Sequence, residues 1–298
     1  MVSSPGAQYA QTAPRPRGRR TRKIFIVLAV LLVLLIGADF GAAAFAEHTV
    51  SQKAREQFQL TDDPSVTIHG FPFATQAISG DYGHLSVRAG GVPVKDTLRD
   101  VELSAELREV RAPLSDLTGG NTDNIRIGRL EGQVKIKDSD IARVEPLTKI
   151  ADLKIEPSSE EYVRDGEAAE SDTDGAGSGG EAGETTGQVA DEDSSAGIRM
   201  SGRLQVAGEN LEIFAFAMIE LDGNTVRITP ERLQFGNDRQ TTVVPPEVQQ
   251  ALLPNFEAKI DTGNLPFKVT PTAVLVEKNA IIIKGEAKDV TFAGVAGG

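Results

Sequence analysis

Leu98–Val110 reads LRDVELSAELREV. Val101, Leu103, Ala105 and Leu107 alternate with Glu102, Ser104, Glu106 and Arg108. A period of two puts the four apolar residues on one face of a strand and the polar ones on the other. A helix would separate Val101 and Ala105 from Leu103 and Leu107. One face is therefore buried and one is wet, the pattern of an antiparallel sheet covered on a single side. The strand also exceeds the usual five or six residues.

The same texture recurs on both sides. Upstream, Ser65–Phe73 (SVTIHGFPF) alternates until Gly70 and Pro72 close it, and Leu85–Ala89 repeats it before the turn at Gly90–Pro93. Downstream, Ile125–Lys137 alternates in two phases. The switch at Gly128-Arg129 predicts a bulge that bends the sheet. Asp138–Ile150 changes to helical spacing through Ile141, Val144 and Leu147. Arg203–Gly208 and Asn210–Leu221 restart the strands. In the second of these both faces are apolar, so it is read as central or covered on both sides. Asp222-Gly223-Asn224 is a hairpin signal leading to Val226–Thr229. Pro245-Pro246 opens a short helix, and Leu265–Val269, Ala273–Glu277 and Ala280–Ala287 are further strands. No regular alternation of strands with long helices occurs, which argues against a parallel βαβ sheet. The expected class is α+β: eight to ten strands in two blocks, as a long curved antiparallel sheet wrapping amphipathic helices.

An apolar segment precedes this domain. Ile24–Ala46 carries one charge, Asp39, and follows Arg15, Arg17, Arg19, Arg20, Arg22 and Lys23. About 20 apolar residues span a bilayer core, and a basic flank stays on the cytoplasmic side. Residues 1–23 are then a disordered basic cytoplasmic tail, 24–46 a single-pass anchor in the cytoplasmic membrane, and 47–298 an exported domain. A second reading stays open. Ala44-Phe45-Ala46 is also a small-residue cleavage signature, and cleavage after Ala46 would release the domain as a secreted or periplasmic protein. Val50, Ala54 and Phe58 form one helical stripe just beyond the anchor, able to continue it as a stalk or to pack on the domain.

The chain of 298 residues has a net charge of −12, no Cys and no Trp. Thirteen acids and one base lie between Glu156 and Gly197, so that stretch alone accounts for the excess and the rest is balanced. Residues 156–197 are Glu-, Asp-, Ser- and Gly-rich and read as a disordered acidic insertion. No basic face argues for nucleic acid. The histidines, His48, His69 and His84, have no metal-helix spacing, and no Cys completes a zinc site. Nucleophile-elbow and phosphate-loop motifs are lacking. Neither catalytic residues nor a cofactor or metal is expected.

The apolar side chains stand out instead. Phe71, Phe73, Phe214, Phe216 and Phe267 sit in β contexts in both blocks, and Ile281 and Ile283 share one face of the last strand. They either fill the core or line an elongated cavity, and periodicity does not separate the two. Ligand pockets are mostly apolar with a few polar groups.

The run Pro64–Phe73 with its Gly70-Phe71-Pro72-Phe73, then Ser79–Tyr82, Gly91–Val94 and Leu98–Leu114, resembles the actinobacterial LmeA family of exported phospholipid-binding proteins. Leu265-Pro266-Phe267 and the Ile281–Phe292 block are similar to that family's C-terminal end. The resemblance spans about residues 47–155 and 198–298. It implies a tubular lipid-binding-like fold, phospholipid or lipoglycan as partner, and a role in upkeep of the cell envelope. It carries over no catalytic residue. The alternative from a different class is a structural or interaction module of the envelope, with a filled core and the acidic insertion as its functional part.

Overall fold

The computed structural model describes residues 18–94, 97–121, 124–166, 194–206, 208–222, 225–237, 240–261 and 269–291. Helix α1 (Gly18–Phe58) opens the chain and at 41 residues is about 60 Å long. It is followed by β1 (Ser65–His69), α2 (Phe73–Ser79), β2 (Asp81–Val94), β3 (Leu98–Arg111), α3 (Leu114–Gly119) and β4 (Arg126–Lys137). A single turn, α4 (Asp138–Ile141), leads by a short 3₁₀ turn to β5 (Ala151–Ser158) and α5 (Glu160–Asp165). Then come β6 (Ser195–Val206), β7 (Glu209–Asp222), β8 (Thr225–Asn237), β9 (Gln240–Val243), α6 (Pro246–Leu252), β10 (Ala258–Asp261), β11 (Thr270–Glu277) and β12 (Ala280–Thr291).

The strands form two curled antiparallel sheets. One has the order β1-β2-β3-β4-β12-β11, the other β10-β8-β7-β6-β5 with β9 on β8. The class is thus α+β, as the alternation implied. Residues 98–111 bury Leu98, Val101, Leu103, Ala105, Leu107 and Val110 and turn their polar neighbours outward. Leu98 to Val101, and then Leu107 to Val110, each step by three and break the period. Glu109, between Leu107 and Val110, takes a left-handed φ of 54°, and so does Asp289 (φ 51°) on β12. The register flanks both residues on either side of Gly128 of β4. Pairing runs on without an inserted residue, so the expected bulge is instead a crease across three strands. It restores the inward direction of Ile127 after Leu130 and curls the sheet.

Two large cores result. One lies between the sheets and joins Val101, Val134, Ile136, Ile281 and Ile283 to Ile155, Met200, Ile213, Ala217 and Ile219. The other lies between the far half of the first sheet and α1–α3, with Ala46, Ile68, Phe73, Tyr82, Leu107, Val110 and Ile127. A smaller cluster, Val163, Phe214, Phe216 and Met218, covers the outer face of β7. That strand is therefore central and covered on both sides, as its two apolar faces required.

Several expectations change. Phe73 starts α2 rather than ending a strand, because Pro72 precedes it and Asp39 caps the helix. The helix expected over 138–150 shrinks to α4 and a 3₁₀ turn. The edges of the acidic segment are ordered: residues 156–166 complete β5 and form α5, and 194–197 begin β6. Here the acids have partners, Glu156 with Arg199 and Glu160 with Arg164 and Ser195. Ser159 accepts from the Tyr162 N–H as N-cap, worth about 1 kcal/mol. Fully buried Val163 adds about 1.5–3 kcal/mol, enough to hold a six-residue helix that would not stand alone. The rest of the insertion, the strand expected at Leu265–Val269 up to residue 268, and the tail from 292 lie outside the described residues.

Candidate functional site

The site begins with α1. Its residues from Asp39 on carry a stripe of small and polar side chains that stitches the helix to the domain. Asp39 Oδ2 and Oδ1 accept from the backbone N–H of Phe73 and Ala74 at 2.8 and 2.7 Å. Two turns on, Glu47 Oε1 accepts from the Ile68 N–H at 2.7 Å. One turn further, the Ser51 hydroxyl donates to the Pro64 carbonyl. Ala43, Ala46 and Val50 lie on the same stripe and pack on the core beneath. Small residues let the helix axis come close; Ala46 is only 3% exposed. The single charge in the apolar segment is thus a helix cap.

Beyond Ser51 an apolar cavity of about 290 Å³ lies between the helix and the sheet. Val50, Ala54 and Phe58 of α1 form the roof. Val66 of β1, Leu85 and Val87 of β2, and Leu103, Ala105 and Leu107 of β3 form the floor. Leu117 of α3 and Ile125 close one end, and Leu60, Val92 and Pro93 the other. Polar groups stand at the rim: Lys53, Gln57 and Asp116. Lys53 Nζ bonds Glu56 Oε2 at 2.9 Å, and this holds the Glu56 carboxyl below the usual carboxylate range. Lys53 and Glu56 therefore set a half-exposed ion pair beside an apolar slot. An acyl chain fits a slot of this chemistry.

The residues named from sequence are dispersed. Phe71 is 58% exposed and stacks on Phe40, ring centres 5.9 Å apart. Phe73 is buried in the core under α1. Ile281 and Ile283 are buried between the sheets. Phe214 and Phe216 border a second cavity of about 320 Å³ under α5, with Tyr162, Arg199 and Gln234. Arg199 lies over the Phe214 ring and Arg232 over those of Phe216 and Tyr162. Phe267 lies outside the described residues. None of the six described residues borders the α1 cavity, whose lining comes mainly from Val, Leu and Ala. Periodicity had marked Leu103, Ala105 and Leu107 as buried, and Val50, Ala54 and Phe58 as a stripe. It carried no signal that a gap separates the two sets.

On the opposite face of β1–β3, strand pairing unites residues that looked scattered. His69 and His84 are register partners, and with Glu106 their ligand atoms fall within 4.8 Å. His84 Nε2 lies 2.6 Å from Glu106 Oε2, and His69 Nε2 lies 3.0 Å from Ser86 Oγ. The two rings stack at 4.3 Å and 16°. Lone pairs lie in the ring planes, so near-parallel rings aim them side by side rather than at one ion. The arrangement is that of a hydrogen-bonded polar cover, not of a coordination sphere.

Comparison with known proteins bears on the cavity. Neither the curated proteins nor the solved structures return a match. A family model described as LmeA-like phospholipid-binding matches residues 37–286. The match begins two residues before Asp39, so it takes in the stitched part of α1 together with both sheets. That description names binding and no catalysis. By this match over most of its length, the chain belongs to the LmeA-like phospholipid-binding family.

Proposed function

We propose that the protein takes an acyl chain of a phospholipid or related envelope lipid into the cavity between α1 and β1–β3, beside Lys53. The observation that carries this reading is the cavity itself: an apolar slot with polar groups at its rim, in a member of a phospholipid-binding family. The energetics suit exchange with a membrane. A methylene gains about 0.8 kcal/mol on leaving water, but a chain leaving a bilayer was already in hydrocarbon. Transfer between bilayer and slot is then near balance, so lipid can enter and leave.

The first part of α1 serves as the anchor. It is the one helix among the described residues long and apolar enough to cross a bilayer. Its basic flank favours a cytoplasmic N-terminus and places the domain at the outer face. Cleavage after Ala46 would remove the Asp39 cap and cut a buried helical position, which supports an uncleaved anchor. The physiological role that fits is maintenance of envelope lipid or lipoglycan, with the residues of the acidic insertion as a tolerated loop between paired strands β5 and β6.

The test fills the slot. Ala54→Trp on the roof should cut saturable uptake of a fluorescent phospholipid by about tenfold or more while circular dichroism stays native. Ala105→Trp on the floor provides an independent second fill. Unchanged uptake in both folded variants would remove the cavity as the site. Loss of function on deleting residues 167–193, with uptake intact, would favour an interaction module instead.

A further inference from the structure

We infer that the uncharged segment Gly70–Gly80, with helix α2, is a membrane wedge that enters the outer leaflet beside α1. The inference rests on reading α1 as the anchor, and it adds a second contact with lipid that the apolar span alone does not require.

The argument is one of depth. A hydrocarbon core about 30 Å thick takes about 20 helical residues at about 1.5 Å each. Counted from Ile24, directly after Lys23, those residues end at Ala43. Asp39 lies about 22 Å along the same count, inside the outer leaflet. A lone carboxylate is expensive there. Asp39 is not alone, because both oxygens accept backbone N–H groups from the first turn of α2. Those bonds hold Phe73 and Ala74 at the depth of Asp39, so the start of α2 must enter the leaflet with it.

The surface of the segment fits that position. Residues 70–80, GFPFATQAISG, contain no charged side chain. Phe71 is 58% exposed and Ile78 88% exposed. Phe71 stacks on Phe40 of α1, which makes the wedge continuous with the span. Outside Ile24–Ile36, the exposed large apolar side chains among the described residues are Phe40, Phe45, Phe71, Ile78 and Val248. Four of these five belong to the wedge or to the part of α1 it meets. In water this would be an unexplained greasy patch; in a bilayer it is the matching surface. The occupant is the lipid of the outer leaflet. The consequence is a fixed short distance between membrane and cavity, since Val50 at the roof lies two turns beyond Ala43.

The chain has no Cys, so single labels can be introduced without background. Full-length Ile78→Cys, Leu32→Cys and Lys278→Cys are labelled with a nitrobenzoxadiazole probe. Each is reconstituted in phosphatidylglycerol/phosphatidylethanolamine vesicles containing doxyl-labelled phosphatidylcholine. The expected result is that the Ile78 probe is quenched by doxyl lipid and shielded from iodide at least fivefold relative to Lys278. An Ile78 probe as open to iodide as Lys278, with Leu32 still shielded, overturns the wedge and leaves the anchor standing. Iodide access at both Ile78 and Leu32 overturns both.

Discussion

At the scale of single residues, two buried polar groups set the terms of stability. Asp140 is 1% exposed, and its two oxygens accept the backbone N–H groups of Arg99 and Asp100 at 3.1 and 2.8 Å. Asp140→Ala strands both donors and should cost about 3 kcal/mol, measured as a lowered urea midpoint in detergent. Tyr82 is the opposite case: it is 1% exposed, and its hydroxyl has no hydrogen-bond partner among the described residues. Burial raises its pKa above the ordinary tyrosine value. The unfolded chain therefore ionises first as pH rises. The neutral native ring contributes stability that is fully present below about pH 10 and is lost as pH climbs toward the raised value. Tyr82→Phe should match or exceed wild-type stability at neutral pH, by up to about 1 kcal/mol, and should flatten the alkaline loss. A steeper alkaline loss in the variant would contradict this. Asp39 was visible in the sequence only as a lone charge among apolar residues. Its partners lie 34 and 35 positions away, and no local pattern encodes such a distance.

At the scale of elements, the alternation in Leu98–Val110 was enough to name a strand, its buried face and the class of sheet. The alternation in Ile125–Lys137 likewise exposed the phase change at Gly128-Arg129, though not its mechanism. Sequence spacing reports which residues turn inward; it does not report whether a left-handed residue or an added one makes the turn. Here the left-handed residues Glu109 and Asp289 make it. A Cβ on Gly128 would stand 2.7 Å from the Glu109 carboxylate and 2.9 Å from its Cβ. Gly128→Ala should therefore cost about 1–3 kcal/mol and shift the thermal midpoint down by several degrees. An unchanged midpoint would mean that the crease has room to relax. Short helices escaped the reading for a different reason. Helix α2 has seven residues, too few for a helical period, and the neighbouring Gly and Pro suggested only the end of a strand.

At the scale of the whole molecule, one helix carries two kinds of surface. Its first half has an apolar surface with no protein partner among the described residues, and its second half is stitched to the first sheet and then roofs the cavity. The class of fold and the apolar span could be read from the chain, because both rest on local periodicity and run length. The cavity could not, because an inward-facing Leu looks the same whether its neighbour is a side chain or a void. The large phenylalanines drew attention by size, whereas the slot is walled mainly by Val, Leu and Ala. The family match supplies the class of ligand, and the cavity is the place we propose for it. The most direct measurement is native mass spectrometry of the full-length protein released from detergent, with extraction and identification of what it carries. The account predicts one phospholipid-sized adduct on the wild type and its loss in Ala54→Trp. A wild type that stays at its bare mass after incubation with envelope lipids would contradict it.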